Sequence, residues 1–437
     1  MTTNALSDPI AKRLQTVRHL ITGGKLSEAA ERLQGVAKSA PGDARVYLTG
    51  MYLAEAAGEP KRAEDAARRA LKLTPGWPVA VTELALLLAK QNQFSEAIAL
   101  AEQAVKLDGD NPDVLGRVID IAHQAQRLDL ALQWMAHAMA VAPHTLLLRL
   151  HFAHDLRLIG RYDEAIATYD ALLKTLPNDR AALLGRVQTL FAMGKSEQAA
   201  SDTAALMELD PSDAEHCFWH DVAQGRTPRT QPLRMVRELF DGMAHIYDQH
   251  VVGRLKYKLP REVGRKINAL YPDNKLNVLD LGSGTGLLGV CLGRIEGALI
   301  GVEISQKMAE QAARHRLYDR FHTVDLLEAL RETPASLYDV IAALDVFIYV
   351  GDLGTAIPDA YRVLCDGGHF IFSCEAAVPG EADLVLRATQ RYAHQASAVE
   401  AACRAAGFES VALEAMPLRY ENNEPVQGFL VIAKKPA

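Results

Sequence analysis

Small, apolar and turn-forming residues return along the first half of this chain at one fixed step. Alanine stands at Ala29, Ala63, Ala97, Ala131, Ala165 and Ala199, each 34 positions after the last. A second series, Pro41, Pro75, Gly109, Pro143, Pro177 and Pro211, keeps the same step, and a third, Gly24, Gly58, Asn92, Gln126, Gly160 and Gly194, falls between helices inside each unit. The pattern predicts six units of two antiparallel helices from about Ile10 to Asp213. Alanine lets the two helices approach closely, the glycine-type position turns the chain, and proline ends the second helix or starts the next unit. After Pro211 the periodicity stops. HDVAQGRTPRTQPLR, residues 220–234, reads as a linker. Residues 235–272 read as helical with a break at Pro260. From Leu276 short apolar runs alternate with helices, which predicts a parallel sheet covered on both faces.

The clearest copy of the unit, GRYDEAIATYDALLKTLP (Gly160 to Pro177), resembles the tetratricopeptide repeat. The expected fold class is therefore multidomain, α plus α/β. A repeat array spans 1–219 (repeats 10–213), a linker 220–234, and a Rossmann-like domain 235–437, with lid helices over 235–272 and the sheet over 273–437. Arrays of this kind present a groove to a protein or peptide and have no chemistry of their own, so a protein partner is expected there. His123, His137, His151 and His154 lie on repeat helices, where packing or solvent contact is the expected role.

Composition narrows the function. The 437 residues are 49% hydrophobic and 23% charged, with a formal net charge of −7, and no Lys/Arg run marks a nucleic-acid surface. The five cysteines, Cys217, Cys291, Cys365, Cys374 and Cys403, form no metal-ligand spacing, so no metal is expected and reduced thiols in the cytoplasm are. No signal peptide or membrane-spanning run is legible.

The chemistry lies at the first strand. NVLDL runs into Asp280-Leu281-Gly282-Ser283-Gly284-Thr285-Gly286 and then a helix. A dinucleotide loop spaces its third glycine two residues further, to seat a pyrophosphate on the helix N-terminus. This tighter, acid-led loop suits S-adenosylmethionine, which has no phosphate: backbone approaches the amino-acid tail and sugar, and Asp280 faces the cationic amino end. Glu303 ends the second strand, where a carboxylate accepts both ribose hydroxyls. Asp325 ends the third strand, near the adenine amino group, and Asp345 the fourth. All four stand at the carboxyl edge, where open α/β sheets bind ligands.

These residues resemble the class I S-adenosylmethionine-dependent methyltransferases over roughly Leu276 to Ala437. FDGMAHIYDQHVVGRLKYKLP (Phe240 to Pro260), LDVFIYVGDL, GGHFIFSCE and RYAHQASAVEAACRAAGFE (Arg391 to Glu409) look like the methyltransferases that carry tetratricopeptide repeats. The same half is similar to the methyltransferase of the vertebrate Williams-Beuren region. The resemblance implies a seven-stranded sheet ending in an antiparallel hairpin, and ESVALEAMPLRYENNEPVQGFLVIAKK fits that ending. It departs at Gln390 and Gln395. The implied cofactor contacts are Tyr247, Tyr257, Asp280, Gly282, Ser283, Gly284, Thr285, Gly286, Glu303, Ile304, Met308, Asp325, Leu326 and Asp345.

Methyl transfer is an in-line displacement, and a base is needed only if the acceptor must lose a proton. His394, Asp345 and His250 are the catalytic candidates, with His394 expected in a pocket-facing loop after the fifth strand. Tyr349, Arg391 and Tyr392 are the acceptor-binding candidates, Arg391 through its bidentate fork. Tyr247, His250 and Arg254 share one face of the lid segment. Asp345-Val346-Phe347-Ile348 stands where base-methylating enzymes often carry an Asn/Asp-Pro-Pro run, so a nucleic-acid acceptor is not expected. The expected function is methyl transfer to an O or N acceptor on a small molecule or protein. The alternatives are a repeat adaptor whose second half binds cofactor without turnover, and a nicotinamide-dependent oxidoreductase.

Overall fold

A computed structural model describes residues 8–143, 145–244, 247–248, 255–421 and 424–437. The chain divides into two compact units, Met1–Arg186 and Val187–Ala437.

The first unit is built of helix pairs: Pro9–Thr22 with Leu26–Ser39, Ala44–Ala56 with Pro60–Leu73, Pro78–Lys90 with Phe94–Asp108, Pro112–Gln124 with Leu128–Val141, and Leu146–Leu158 with Tyr162–Thr175. The unit boundary falls inside the next helix, Arg180–Ala192, which opens the last repeat. The alanine series is the reason the pairs close: five of its six members are 0% exposed, and Ala199 is 1% exposed. The turn series adopts left-handed backbone at every copy, including the two without glycine, Asn92 (φ 61°) and Gln126 (φ 55°). Each such residue caps the helix before it, as where Gly24 N–H meets the Ile21 carbonyl at 3.0 Å and Lys25 N–H the Leu20 carbonyl at 2.9 Å. Two of the repeat histidines are paired: His123 Nε2 lies 2.6 Å from Asp155 and His137 Nε2 3.0 Å from Asp110.

In the second unit a sheet is assembled from β1 (Val278–Leu281), β2 (Leu299–Val302), β3 (Arg320–His322), β4 (Tyr338–Ala343), β5 (Leu364–Ala376), β6 (Leu384–Leu386), β7 (Tyr392–His394), β8 (Ser410–Glu421) and β9 (Glu424–Lys434). The first five are parallel in the order β3-β2-β1-β4-β5. The closing hairpin then adds β9 and β8 antiparallel, making the expected seven. Two further short strands extend the same sheet to nine, β7 parallel to the last residues of β5 and β6 antiparallel to β7.

Strand alternation sets the core. Val278, Val340, Ala342 and Ile371 face one side with Leu259, Val263 and Ile267 of helix Leu259–Leu270. Leu279, Leu281, Ile341, Phe370 and Phe372 face the other with Ile357, Ala360 and Cys403. Such near-continuous apolar runs are what strands buried on both faces require.

Two local expectations change. Residues 220–234 are not a free linker: helix Ala214–Ala223 runs into them, and the stretch after it is tied to the sheet. Tyr392 Oη donates to the Pro228 carbonyl at 2.9 Å, Asp352 N–H to that of Arg229 at 2.8 Å, and Gln231 N–H to that of Tyr349 at 3.1 Å. Nor is His394 in a loop; it ends β7, because Tyr392-Ala393-His394 pairs with both β6 and the end of β5.

Candidate cofactor and acceptor site

β1 ends at Leu281 and releases a loop whose three glycines, Gly282, Gly284 and Gly286, all have positive φ, at 67°, 54° and 82°. Two of them are also sterically forced. A Cβ on Gly282 would stand 2.5 Å from the Val346 side chain, and one on Gly286 3.1 Å from both Ala312 and Tyr318. At Gly284 the nearest atoms are Tyr247, 3.9 Å away, and Met308, 4.0 Å away, so the loop's open side lies there.

Glu303 sets the geometry beneath this loop. It follows β2 directly and is buried, with Oε2 accepting Gly284 N–H at 2.8 Å and Oε1 accepting Ser305 N–H at 2.9 Å. Burial pushes its carboxyl up, while the backbone N–H donors work the other way. Each carboxylate oxygen keeps a second lone pair, so the group can accept further hydrogen bonds from the cavity it lines.

Asp280 is held differently. It is 2% exposed, it accepts the Tyr318 hydroxyl at 2.5 Å, and burial pushes its carboxyl up to about 7. Tyr318 itself stacks on Phe321 with ring centres 4.7 Å apart. Asp325 lies three residues beyond β3 and caps helix Leu326–Glu332 by accepting Glu328 N–H at 3.3 Å. It still lines the cavity, and burial raises its carboxyl as well.

Asp345, two residues beyond β4, adopts φ 56° and donates its N–H to Ser373 Oγ at 2.8 Å. Its Oδ1 is 2.6 Å from Nη1 of Arg419. That guanidinium, only 3% exposed on β8, also bonds Glu375 and, at 2.8 Å, Glu421. Glu421 in turn pairs with Arg391.

One cavity gathers Tyr247, Gly282, Gly284, Glu303, Ile304, Asp325, Leu326, Asp345 and Tyr349 of the predicted residues. Ser283 and Thr285 are buried in the loop; Ser283 Oγ has no partner among the described residues, and Thr285 donates to Asp248 at 2.5 Å. Met308 is wholly buried. Tyr257 and Arg391 line a neighbouring cavity instead. His250 and Arg254 lie outside the described residues.

His394 and Tyr392 are not among the described lining residues of either cavity. His394 is buried with Nε2 2.5 Å from the Gly351 carbonyl, and burial pushes its imidazole down. Each is bonded to neighbouring backbone, Tyr392 Oη to the Pro228 carbonyl at 2.9 Å and His394 Nε2 to that of Gly351. In their place the structure supplies residues that sequence reasoning missed: Thr230, Gln231, Leu233, Val236 and Phe240, on the segment leading into helix Leu233–Met243, and Val346. That segment is latched where Asp241 accepts the Ser305 hydroxyl at 2.5 Å.

S-Adenosylmethionine can be tested against this arrangement. A cradle of glycines, a buried carboxylate with uncommitted lone pairs and an orphaned Ser283 hydroxyl fit an elongated ligand rich in hydroxyl and amino donors. Among the described residues no cluster of His, Cys, Asp or Glu could hold a metal ion.

The family described as methyltransferase domain matches residues 279–372, and tetratricopeptide repeat matches 14–78, 82–140 and 151–214. The ubiquinone biosynthesis O-methyltransferase of Azorhizobium caulinodans is 29% identical over 194 residues, covering 39% of this chain and 74% of that protein. The rat mitochondrial protein of the same name is 30% identical over 195 residues, covering 42% and 51%, and the bovine one 32% identical over 108, covering 23% and 29%. The chain thus spans about half or less of the length of these two mammalian relatives. Among solved structures, a tetratricopeptide-repeat protein with an unusual peptide-binding site aligns with TM-score 0.37 and 19% identity, over 44% of this chain and 97% of its own. The magnesium protoporphyrin IX methyltransferase of Synechocystis with bound SAH aligns with TM-score 0.36 and 19% identity, over 46% and 99%. The chain thus carries tetratricopeptide repeats through its first half and, over residues 279–372, a domain that matches the methyltransferase family.

Proposed function

We propose that this chain transfers a methyl group from S-adenosylmethionine to an oxygen or nitrogen acceptor on a small molecule or protein, and that its repeats recruit a protein partner. The observation that carries the reading is Glu303: a buried carboxylate oriented by Gly284 and Ser305 N–H groups, lining one cavity with Gly282, Gly284, Asp325 and Asp345. In this reading Glu303 takes the ribose hydroxyls, Asp325 the adenine amine, and Asp280, bonded to Tyr318, the cationic amino end. When bound, the cofactor supplies an electrophilic methyl on a sulfonium.

The chain's own contribution is alignment and exclusion of water. Phe240 and Tyr247, with Leu233 and Val236, supply an apolar wall to the cavity. Fixing an acceptor in line is worth on the order of 7–11 kcal/mol in oriented systems. Where the acceptor must lose a proton, Asp345 is the carboxylate at hand, positioned by Arg419 on its Oδ1. The similar proteins named as O-methyltransferases favour oxygen as the accepting atom. No helix among the described residues is long and apolar enough to cross a membrane, and the five free cysteines accord with a cytoplasmic location.

The test is labelled-methyl transfer by the full chain in cell extract, resolved into small-molecule and protein fractions, beside Gly282→Val. Label incorporated by the wild type and not by the variant supports the reading. Cofactor binding without transfer to either fraction contradicts it and leaves a cofactor-binding adaptor.

A further inference from the structure

A second cavity adjoins the first within the same unit. Phe240, Tyr247, Asp345 and Tyr349 line both. Beyond this shared wall the second cavity is lined by Leu239, Met243 and Ile348, by Tyr257, and by Arg391 and Arg419.

Its chemistry is lopsided. Four aromatic rings contribute, with Phe240 set edge-on to Tyr247 and Tyr349 at centroid distances of 6.1 and 5.4 Å, an arrangement that accepts another flat ring by edge or face. Burial holds the phenols of Tyr247, Tyr257 and Tyr349 above their ordinary value, so all three stay neutral. The charged side is nearly settled internally. Arg419 is matched by Asp345, Glu375 and Glu421 together, and Asp345 is matched by Arg419. Burial also pushes Glu375 toward its neutral form, which moves two arginines and three acids toward balance.

What Arg391 retains is spare N–H donors. Its one acidic partner among the described residues is Glu421, which it shares with Arg419, and its side chain is 25% exposed. A guanidinium offers five N–H groups in a planar fork, and one carboxylate oxygen does not use them up.

We propose that this second cavity is the acceptor subsite, and that it takes a compact ring compound bearing an anionic oxygen substituent: the ring among the tyrosines and Phe240, the anion on Arg391. This rests on the methyltransferase reading and narrows it to a small molecule. Arg391 is then a specificity residue, held in place by Glu421 and, through it, by Arg419.

Calorimetry on the full chain saturated with S-adenosylhomocysteine tests it, using benzoate, hydroxybenzoates and hydroxycinnamates against the matching neutral amides. The acids are expected to bind at least about tenfold tighter than their amides, as a charge-assisted bidentate contact would give. Arg391→Gln should erase that ratio and Arg391→Lys keep part of it. The affinity of both variants for S-adenosylhomocysteine should stay within about twofold of wild type, which also reports that they fold. Equal affinity for acid and amide overturns the proposal, as does a ratio that survives Arg391→Gln or a loaded protein that binds no ring acid. Failure of the wild type to bind S-adenosylhomocysteine at all overturns the methyltransferase reading with it.

Discussion

The repeats and the sheet domain solve the problem of close approach in different ways. In the repeats one solution is used again and again: a fully buried alanine where two helices meet and a left-handed residue where they turn, at the same step each time. In the sheet domain each close approach is individual. Gly282 leaves room for Val346, Gly286 for Ala312 and Tyr318, and Arg419 is matched to acids drawn from three separate stretches of chain. Periodic construction distributes stability over equivalent contacts, whereas the site concentrates it in a few contacts that have no substitutes. Injury to a repeat should therefore cost stability locally and leave ligand binding intact. Injury to the sheet domain should register in ligand binding, in stability, or in both.

The largest effect is expected at Arg419. Arg419→Met strips the counter-charge from buried Glu375 and from the partly buried Asp345 and Glu421, and removing one partner of a buried ion network costs about 3–5 kcal/mol. Hydrogen exchange resolved along the chain should show the loss in the sheet domain and unchanged protection over residues 9–175.

Gly282→Val comes next. Its Cβ would stand 2.5 Å from Val346 at a backbone conformation β-branched residues avoid, so the loop must move. Affinity for S-adenosylmethionine should fall by roughly a hundredfold or more, about 2.7 kcal/mol, with the repeats unaffected.

Ala131→Leu attacks the other region. The site is 0% exposed, and overpacking of this kind costs about 1–3 kcal/mol. Exchange protection of residues 112–141 should drop while cofactor affinity stays at the wild-type value. A parallel loss of cofactor binding would break the contrast between the regions.

The smallest effect is one of pH. Asp280 is raised from 3.8 to about 7, so the free protein should lose stability as pH climbs through that interval, because the ionised form is the one burial disfavours. A cation bound near Asp280 favours the ionised form. Affinity for S-adenosylmethionine should thus rise as pH climbs towards about 7, by up to about tenfold per unit, level off above it, and show no such slope in Asp280→Asn.

What was legible in the sequence follows the same division. The repeats could be read because their rules are local: alanine, a turn residue and proline recur within 34 residues, and even Asn92 and Gln126 mark left-handed turns. The strands could be read from their apolar runs, and the glycine loop and Glu303 from their places at strand ends. Pairings between distant residues could not. Arg419 and Asp345 are 74 positions apart, and nothing in PLRYE signals a buried cation. Gln231 bonds Gln390 across 159 positions, which is why a stretch that read as a linker proved to be part of the cavity wall. His394 was misread for a related reason: three residues are too few to show the alternation of a strand, so β7 reads as loop until its partners are known.

The most direct test is calorimetric titration of the full chain with S-adenosylmethionine and S-adenosylhomocysteine, repeated on Glu303→Ala. Saturable one-to-one binding of both ligands by the wild type, weakened at least about a hundredfold in the variant while its repeats and sheet stay folded by hydrogen exchange, is expected if Glu303 holds the ribose. Wild-type protein that binds neither ligand, or a variant that binds both as well as the wild type does, would contradict the assignment of this cavity to the cofactor.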